Sequence, residues 1–161
     1  MPGFGDVTGP GRICGDSDNN GLWTGLVLAA EYMRLKTISA TTTSESDSSS
    51  PAALADASAI FRGQCLLHNV TGFRGLCARS ACGPNDAGCA VNRNTDLDPA
   101  CQDTPKTCGL QWRNGSAEAG YGDGWVWKSD TSSDEIDGHV LGLAVVATIS
   151  PDASEKAIAQ T

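Results

Sequence analysis

The sequence predicts an all-α fold of tandem αα-hairpins with a long disulfide-rich loop insertion. Three observations carry this reading. Apolar residues recur at helical spacing over four segments, about 21–38, 51–68, 133–148 and 151–161. The dipeptide Ser-Pro opens the second and fourth, at Ser50-Pro51 and Ser150-Pro151, so a unit of helix, link and Ser-Pro helix occurs twice. Between the two units, over residues 77–111, stand Cys77, Cys82, Cys89, Cys101 and Cys108, most of the chain's 7 cysteines.

Residues 1–20 are rich in Gly, Asp and Asn and read as loop. In the first helix Leu22, Leu26, Ala29 and Met33 form one stripe, and Trp23, Val27 and Ala30 form its neighbour. So wide an apolar surface predicts a helix packed on more than one side. Residues 39–50 are a Thr/Ser tract and read as a flexible connection. Ser50 then suits an N-cap, with Pro51 at the first helical position. Leu54, Ala57, Phe61 and Cys65 carry the helix to about His68, and Gly72 is its expected stop. Residues 73–128 lack periodicity, and their middle, 82–111, reads as an insertion. The third helix is expected to bury Ile136, Val140, Leu143, Ala144 and Ala147. Apart from Trp125-Val-Trp127, nothing in the pattern is β-rich. Helices one and three should then be parallel neighbours, roughly 8–10 Å apart, with their N-termini at one rim.

Composition narrows the function. The chain has 161 residues, 19 Asp plus Glu against 11 Lys plus Arg, and a net charge of −8. Its arginines are scattered, so a nucleic-acid backbone or an anionic membrane is not the expected partner. No segment reaches the roughly 18 apolar residues of a membrane span. Met1-Pro-Gly-Phe-Gly lacks the basic start and apolar stretch of a signal peptide. The cysteine-rich loop nevertheless predicts disulfides, because Gly, Pro, Asn and Asp cannot form a core. A zinc site is the alternative, but no C-x-x-C spacing occurs. Asn69-Val-Thr71 and Asn114-Gly-Ser116 fit the N-glycosylation pattern and agree with an extracellular or secreted protein. The chain reads as a fragment, or a short form, of something larger.

Acidic residues stand before helices one and three. Asp16, Asp18 and Asn20 precede the first, where capping is the plainest reading. Asp-x-Asp-x-Asn-Gly also matches half an EF-hand loop, although the twelfth position is Val27 rather than Glu. Asp130, Asp134, Glu135 and Asp137, with His139, precede or open the third. A capping box explains one of these acids, not four. Crowded carboxyls raise one another's pKa and can leave one protonated beside one ionised. Glycosyl chemistry uses such pairs, roughly 5 Å or 6.5–9.5 Å apart. Trp23, Tyr121, Trp125 and Trp127 near the same rim could stack on sugar rings, though core packing is the alternative and the better one for Trp23. His68, at a helix end, reads as a partner of the helix dipole. No metal or cofactor is expected.

Three blocks carry a family resemblance: Asp18-Asn-Asn-Gly-Leu-Trp-Thr24 with Leu28-Ala-Ala-Glu-Tyr32; Leu67-His68-Asn-Val-Thr-Gly72-Phe-Arg-Gly-Leu76 with Ala78-Arg79-Ser80; and Trp127-Lys-Ser-Asp-Thr-Ser-Ser-Asp-Glu-Ile-Asp-Gly-His139. They resemble bacterial and algal extracellular proteins of the six-hairpin, (α/α)6-toroid glycosidase type. Residues 82–111 depart from that pattern. The resemblance implies a ring of six helix pairs, of which this chain holds about two, and a polysaccharide or oligosaccharide pocket at the rim. It carries over Asp18, Arg79, Asp130, Asp134, Glu135, Asp137 and His139. Asp134 or Asp137 would be the general acid, and Asp18 the base or an orienting carboxylate. Arg79 would hold an acidic sugar, His139 would position a hydroxyl, and Trp127, Asp130 and Glu135 would line the substrate. The competing expectation is a non-catalytic secreted adhesion or sensor module whose acids only cap helices.

Overall fold

Helical spacing becomes four helices in the computed structural model, which describes residues 19–41, 49–85, 112–129 and 131–161. They are α1 (Asn20–Thr41), α2 (Ser49–Asn69), α3 (Ser133–Ile149) and α4 (Ala153–Ala159). Asp16, Asp18, Asp130 and residues 86–111 of the cysteine-rich stretch lie outside the described residues. Past the end of α2, Gly72 has φ 69°, a left-handed conformation that glycine adopts without a β-carbon penalty. Before α4, Asp152 rather than Ser150 is the cap, and its Oδ1 accepts from the Ser154 N–H at 2.7 Å. No described helix is long and apolar enough to cross a membrane.

The chain is mostly helical, but the all-α expectation needs correcting. β1 (Ser80–Cys82), β3 (Val126–Lys128) and β2 (Trp112–Asn114) form an antiparallel sheet in the order β1-β3-β2. Three residues per strand is too short for a period-two pattern to stand out in the sequence. The sheet is tied to the C-terminal end of α2 through Ala78 N–H to Leu67 O at 2.8 Å and Ser116 N–H to Val70 O at 2.9 Å. Trp127 is buried in its centre with Nε1 donating to Asn114 O at 2.9 Å, and the Arg113 guanidinium lies 5.7 Å from its ring. The disulfide expectation also changes: Cys82 is disulfide-bonded, whereas Cys65 and Cys77 are free thiols. Cys77 is buried at the junction of helix and sheet, where packing holds the chain and burial pushes its thiol pKa up.

α1 and α3 pack side by side and parallel, as expected. Gly21 meets Glu135 and His139, Leu22 meets Gly138, and Gly25 meets Gly138 and Gly142, so contacts advance together along both helices. The buried faces differ from those predicted at most positions, although Ala29 is buried and Leu143 packs against the core as expected. α1 buries Gly21, Gly25, Leu28, Ala29, Tyr32 and Leu35, and leaves Trp23, Leu26, Val27 and Met33 exposed. α3 buries Glu135, Gly138, His139, Gly142 and Val146, and leaves Ile136, Val140 and Ala144 exposed. The reason is the pair of motifs Gly21-x-x-x-Gly25 and Gly138-x-x-x-Gly142. Glycines one turn apart remove the side-chain ridge and let two backbones touch, so close packing rather than apolar area chose the faces.

The apolar core lies further along, where Leu28, Tyr32, Leu35, Ala53, Ala57, Phe61 and Val146 pack together. α4 is held to α1 and to the end of α3 by polar contacts: the Tyr32 hydroxyl of α1 and the Oγ of Ser150, which follows α3, both donate to Glu155 Oε2, the latter at 2.9 Å. The parallel packing and the return of α2 bring two helix N-termini and one C-terminus to a single end of the bundle.

Candidate functional site

At that end four polar side chains meet. α3 carries Glu135 and His139 four residues apart, and α2 carries Gln64 and His68 four residues apart, so each pair lies on one helix face. Glu135 is 0% and His139 2% exposed, and Gln64 is equally enclosed. Glu135 Oε2 accepts the backbone N–H of Gly21 at 2.9 Å. A carboxyl from α3 therefore caps the first turn of α1, satisfying one of the donors that every helix start leaves open. His139 Nδ1 contacts the Gln64 amide nitrogen and lies 2.8 Å from His68 Nε2, with the two rings edge to face at 4.6 Å. The tips of Glu135 and His139 converge over Gly21: a β-carbon there would lie 2.3 Å from Glu135 Oε2 and 2.4 Å from His139 Nε2. Only glycine fits.

The surroundings push the acids apart. Burial raises the Glu135 pKa, against the opposing pull of the Gly21 N–H and the Arg79 charge. Asp134, one residue earlier and exposed, is held below the usual carboxylate range by the Ser132 hydroxyl, with help from backbone N–H groups and Arg79. Arg79 itself donates through Nη2 to Asn19 Oδ1 at 3.3 Å, at the mouth of α1. Burial depresses both histidines, and the neighbouring His68 adds to the effect at His139, whose pKa falls to about 4.

These shifts set a pH dependence. A depressed histidine binds its proton in the unfolded chain near pH 6.5 but not in the fold, so stability is present above that pH and is lost as pH falls toward 4. Glu135 acts oppositely: its raised pKa favours the fold below about pH 4.5, an advantage lost as pH rises through the folded value. Urea unfolding should therefore lose up to about 3 kcal/mol between pH 7 and 4.5, mostly from His139. His139→Gln should flatten the profile. An unchanged slope in that variant would mean that other groups carry it.

Of the residues expected at the rim, Glu135 and His139 come together, with Arg79 close enough to bias Glu135. Asp134 and Asp137 are exposed on the solvent side of α3, and Asp18 and Asp130 lie outside the described residues. Asp134 does not have the raised pKa of a proton donor; Glu135 does, because α3 turns it inward. Trp127 cannot stack on a sugar, since it is 1% exposed. Trp23, expected inside, is 57% exposed, and Tyr121 and Trp125 pack on each other at 5.3 Å. Sequence reasoning missed Gln64, Gly21 and the inward role of His68. The available signal was the shared spacing of four residues in Gln64/His68 and Glu135/His139. Among the described residues, no three His, Cys, Asp or Glu side chains gather as metal ligands.

No protein-family model, curated protein or solved structure matches the chain.

Proposed function

We propose that the chain is a carbohydrate-active domain that binds or cleaves a polysaccharide by carboxyl acid/base chemistry at the shared N-terminal end of α1 and α3. One observation carries the reading: successive carboxyls, Asp134 and Glu135, sit in opposed environments beside Arg79. Glycosidic cleavage needs that division of labour, a protonated acid for the leaving oxygen and an ionised partner. Glu135 takes the role of the acid, which at 0% exposure requires the start of α1 at Gly21 to move aside for substrate. The exposed Asp134 takes that of the ionised carboxylate, with His139 behind Glu135. The three sequence blocks resembling six-hairpin glycosidases support a sugar as substrate, and all three bear residues around this end. The exposed Trp23, Val27 and Met33 of α1 and Val140 of α3 support packing against further helices, as a toroid requires.

A second reading has its own observation. The Gly21 N–H bond gives Glu135 a complete structural task as a cap, which is what a non-catalytic extracellular module would use it for. Glycan-array binding and polysaccharide hydrolysis with wild type, Asp134→Asn and Glu135→Gln separate the two. The catalytic reading expects hydrolysis to fall about 100-fold or more in Glu135→Gln while binding persists. Binding without hydrolysis in all three proteins would favour the module. Neither binding nor hydrolysis across a broad glycan panel would end the sugar reading.

A further inference from the structure

Glu135 and His139 are sealed from solvent, yet a buried acid that changes protonation must exchange its proton with water. His68 is the member of the cluster with an open side. It is half-buried and stands in the wall of a cleft of about 440 Å³ between the C-terminal ends of α2 and α4, with Cys65, Phe73, Leu76, Leu143 and Ile158. Its Nε2 faces His139 Nδ1 at 2.8 Å, while among the described residues its Nδ1 makes no hydrogen bond. At the far end, His139 Nε2 is buried, has no hydrogen-bond partner among the described residues, and lies beside Glu135 Oε2 over Gly21. We infer that the His68–His139 pair is a proton path linking the α2/α4 cleft to Glu135.

The transfer balances without a further reactant. Hydronium in the cleft gives a proton to His68 Nδ1 and leaves as water, and His68 releases the proton on Nε2 to His139 Nδ1. His139 then releases the proton on Nε2 to the Glu135 carboxylate, so one proton enters and one is delivered. No direct hydrogen bond joins His139 Nε2 to Glu135, so the last step uses rotation about the soft terminal torsion of the carboxyl. Gln64 Nε2 and His68 Nε2 both face the single lone pair of a bare His139 Nδ1, so transfer from His68 requires the Gln64 amide to turn. Turned, it offers Oε1, buried and without a hydrogen-bond partner among the described residues, to the protonated Nδ1. A carbonyl or hydroxyl in place of His68 would still hold His139 but could not pass a proton through its own ring. His68 is on this account a positioning and relay residue. The path serves the acid–base reading above but does not need it.

The test reads proton exchange rather than activity. His68 and His139 are the only 2 histidines, so in His68→Gln the remaining imidazole signal is unambiguous. Exchange of the His139 ring N–H with water, followed by nitrogen-15 NMR near pH 7, should slow about tenfold or more in His68→Gln. Ile158→Trp, which narrows the cleft without touching the cluster, should slow it in the same direction. Backbone spectra and unfolding curves of both variants establish that the fold is kept. Should His68→Gln misfold, Ile158→Trp decides alone. Wild-type exchange in a folded His68→Gln, or in a folded Ile158→Trp if that is the only folded variant, would overturn the path. Slowed exchange in a protein inactive on every glycan would keep the path and remove the sugar reading.

Discussion

Gly25→Ala should be among the most damaging single substitutions in the chain. A β-carbon at Gly25 would sit 1.9 Å from the carbonyl oxygen and 2.4 Å from the carbonyl carbon of Gly138. Both are backbone atoms of a neighbouring helix, so no rotamer change relieves the overlap. α1 and α3 must separate, which strips contacts from Leu22 through Leu28 and moves the Glu135 cap away from Gly21. Overpacking of this kind typically costs about 1–3 kcal/mol, and the backbone contact places this case at the upper end or beyond. Alanine's better helix propensity returns only about 1 kcal/mol. Gly63→Ala is the matched control, because a β-carbon there meets nothing within 4 Å. It should leave stability unchanged or raise it by up to about 1 kcal/mol. Chemical denaturation of both variants tests the pair; equal stability would mean that the two helices do not touch through their glycines.

Glu135→Ala should be nearly as severe, by a different route. It removes a cap, worth about 0.5–2 kcal/mol, and leaves the Gly21 N–H unsatisfied in a buried setting, about 1–3 kcal/mol more. These terms overlap, and a loss of roughly 2–4 kcal/mol is expected. Glu135→Gln keeps an acceptor for the Gly21 N–H and should lose about 1 kcal/mol or less. Hydrogen exchange provides the specific signature. Protection of the Gly21 amide should collapse in the alanine variant and survive in the glutamine variant. Loss of protection in both, or in neither, would show that the carboxyl is not what holds the start of α1. Because Glu135→Gln keeps the cap, it is also the variant in which a change in hydrolysis can be assigned to chemistry.

α1, α2 and α3 were legible because each has a long periodic pattern. Punctuation added to it, with Pro51 in the first turn of α2, Gly72 past its end and Pro151 before the short α4. The parallel pairing of α1 and α3 was also legible, from the repeated order of elements. Which faces would meet was not. α1 and α3 are apolar over most of their circumference, so periodicity could not select one side. The selection came from Gly21, Gly25, Gly138 and Gly142, which carry no hydrophobic signal and act only when two backbones come together. The same uncertainty hid the site. Adjacent helical residues point about 100° apart, so the choice of packed face on α3 decides which of its acids turns inward. Of the short sheet only β3 was signalled, by Trp125-Val-Trp127; its partner strands are far apart in sequence and pair only once the end of α2 has brought them together.

Local sequence, then, determined that this chain makes four helices, where they break, and that acids gather before the first and third. Helix formation depends on nearby residues, so it can be read from them. Tertiary structure alone decided that Glu135 rather than Asp134 turns inward, that His68 reaches His139, and that Trp127 is core while Trp23 is surface. Each of those outcomes depends on contacts between residues from different elements, 114 positions apart for Gly21 and Glu135 and 71 for His68 and His139.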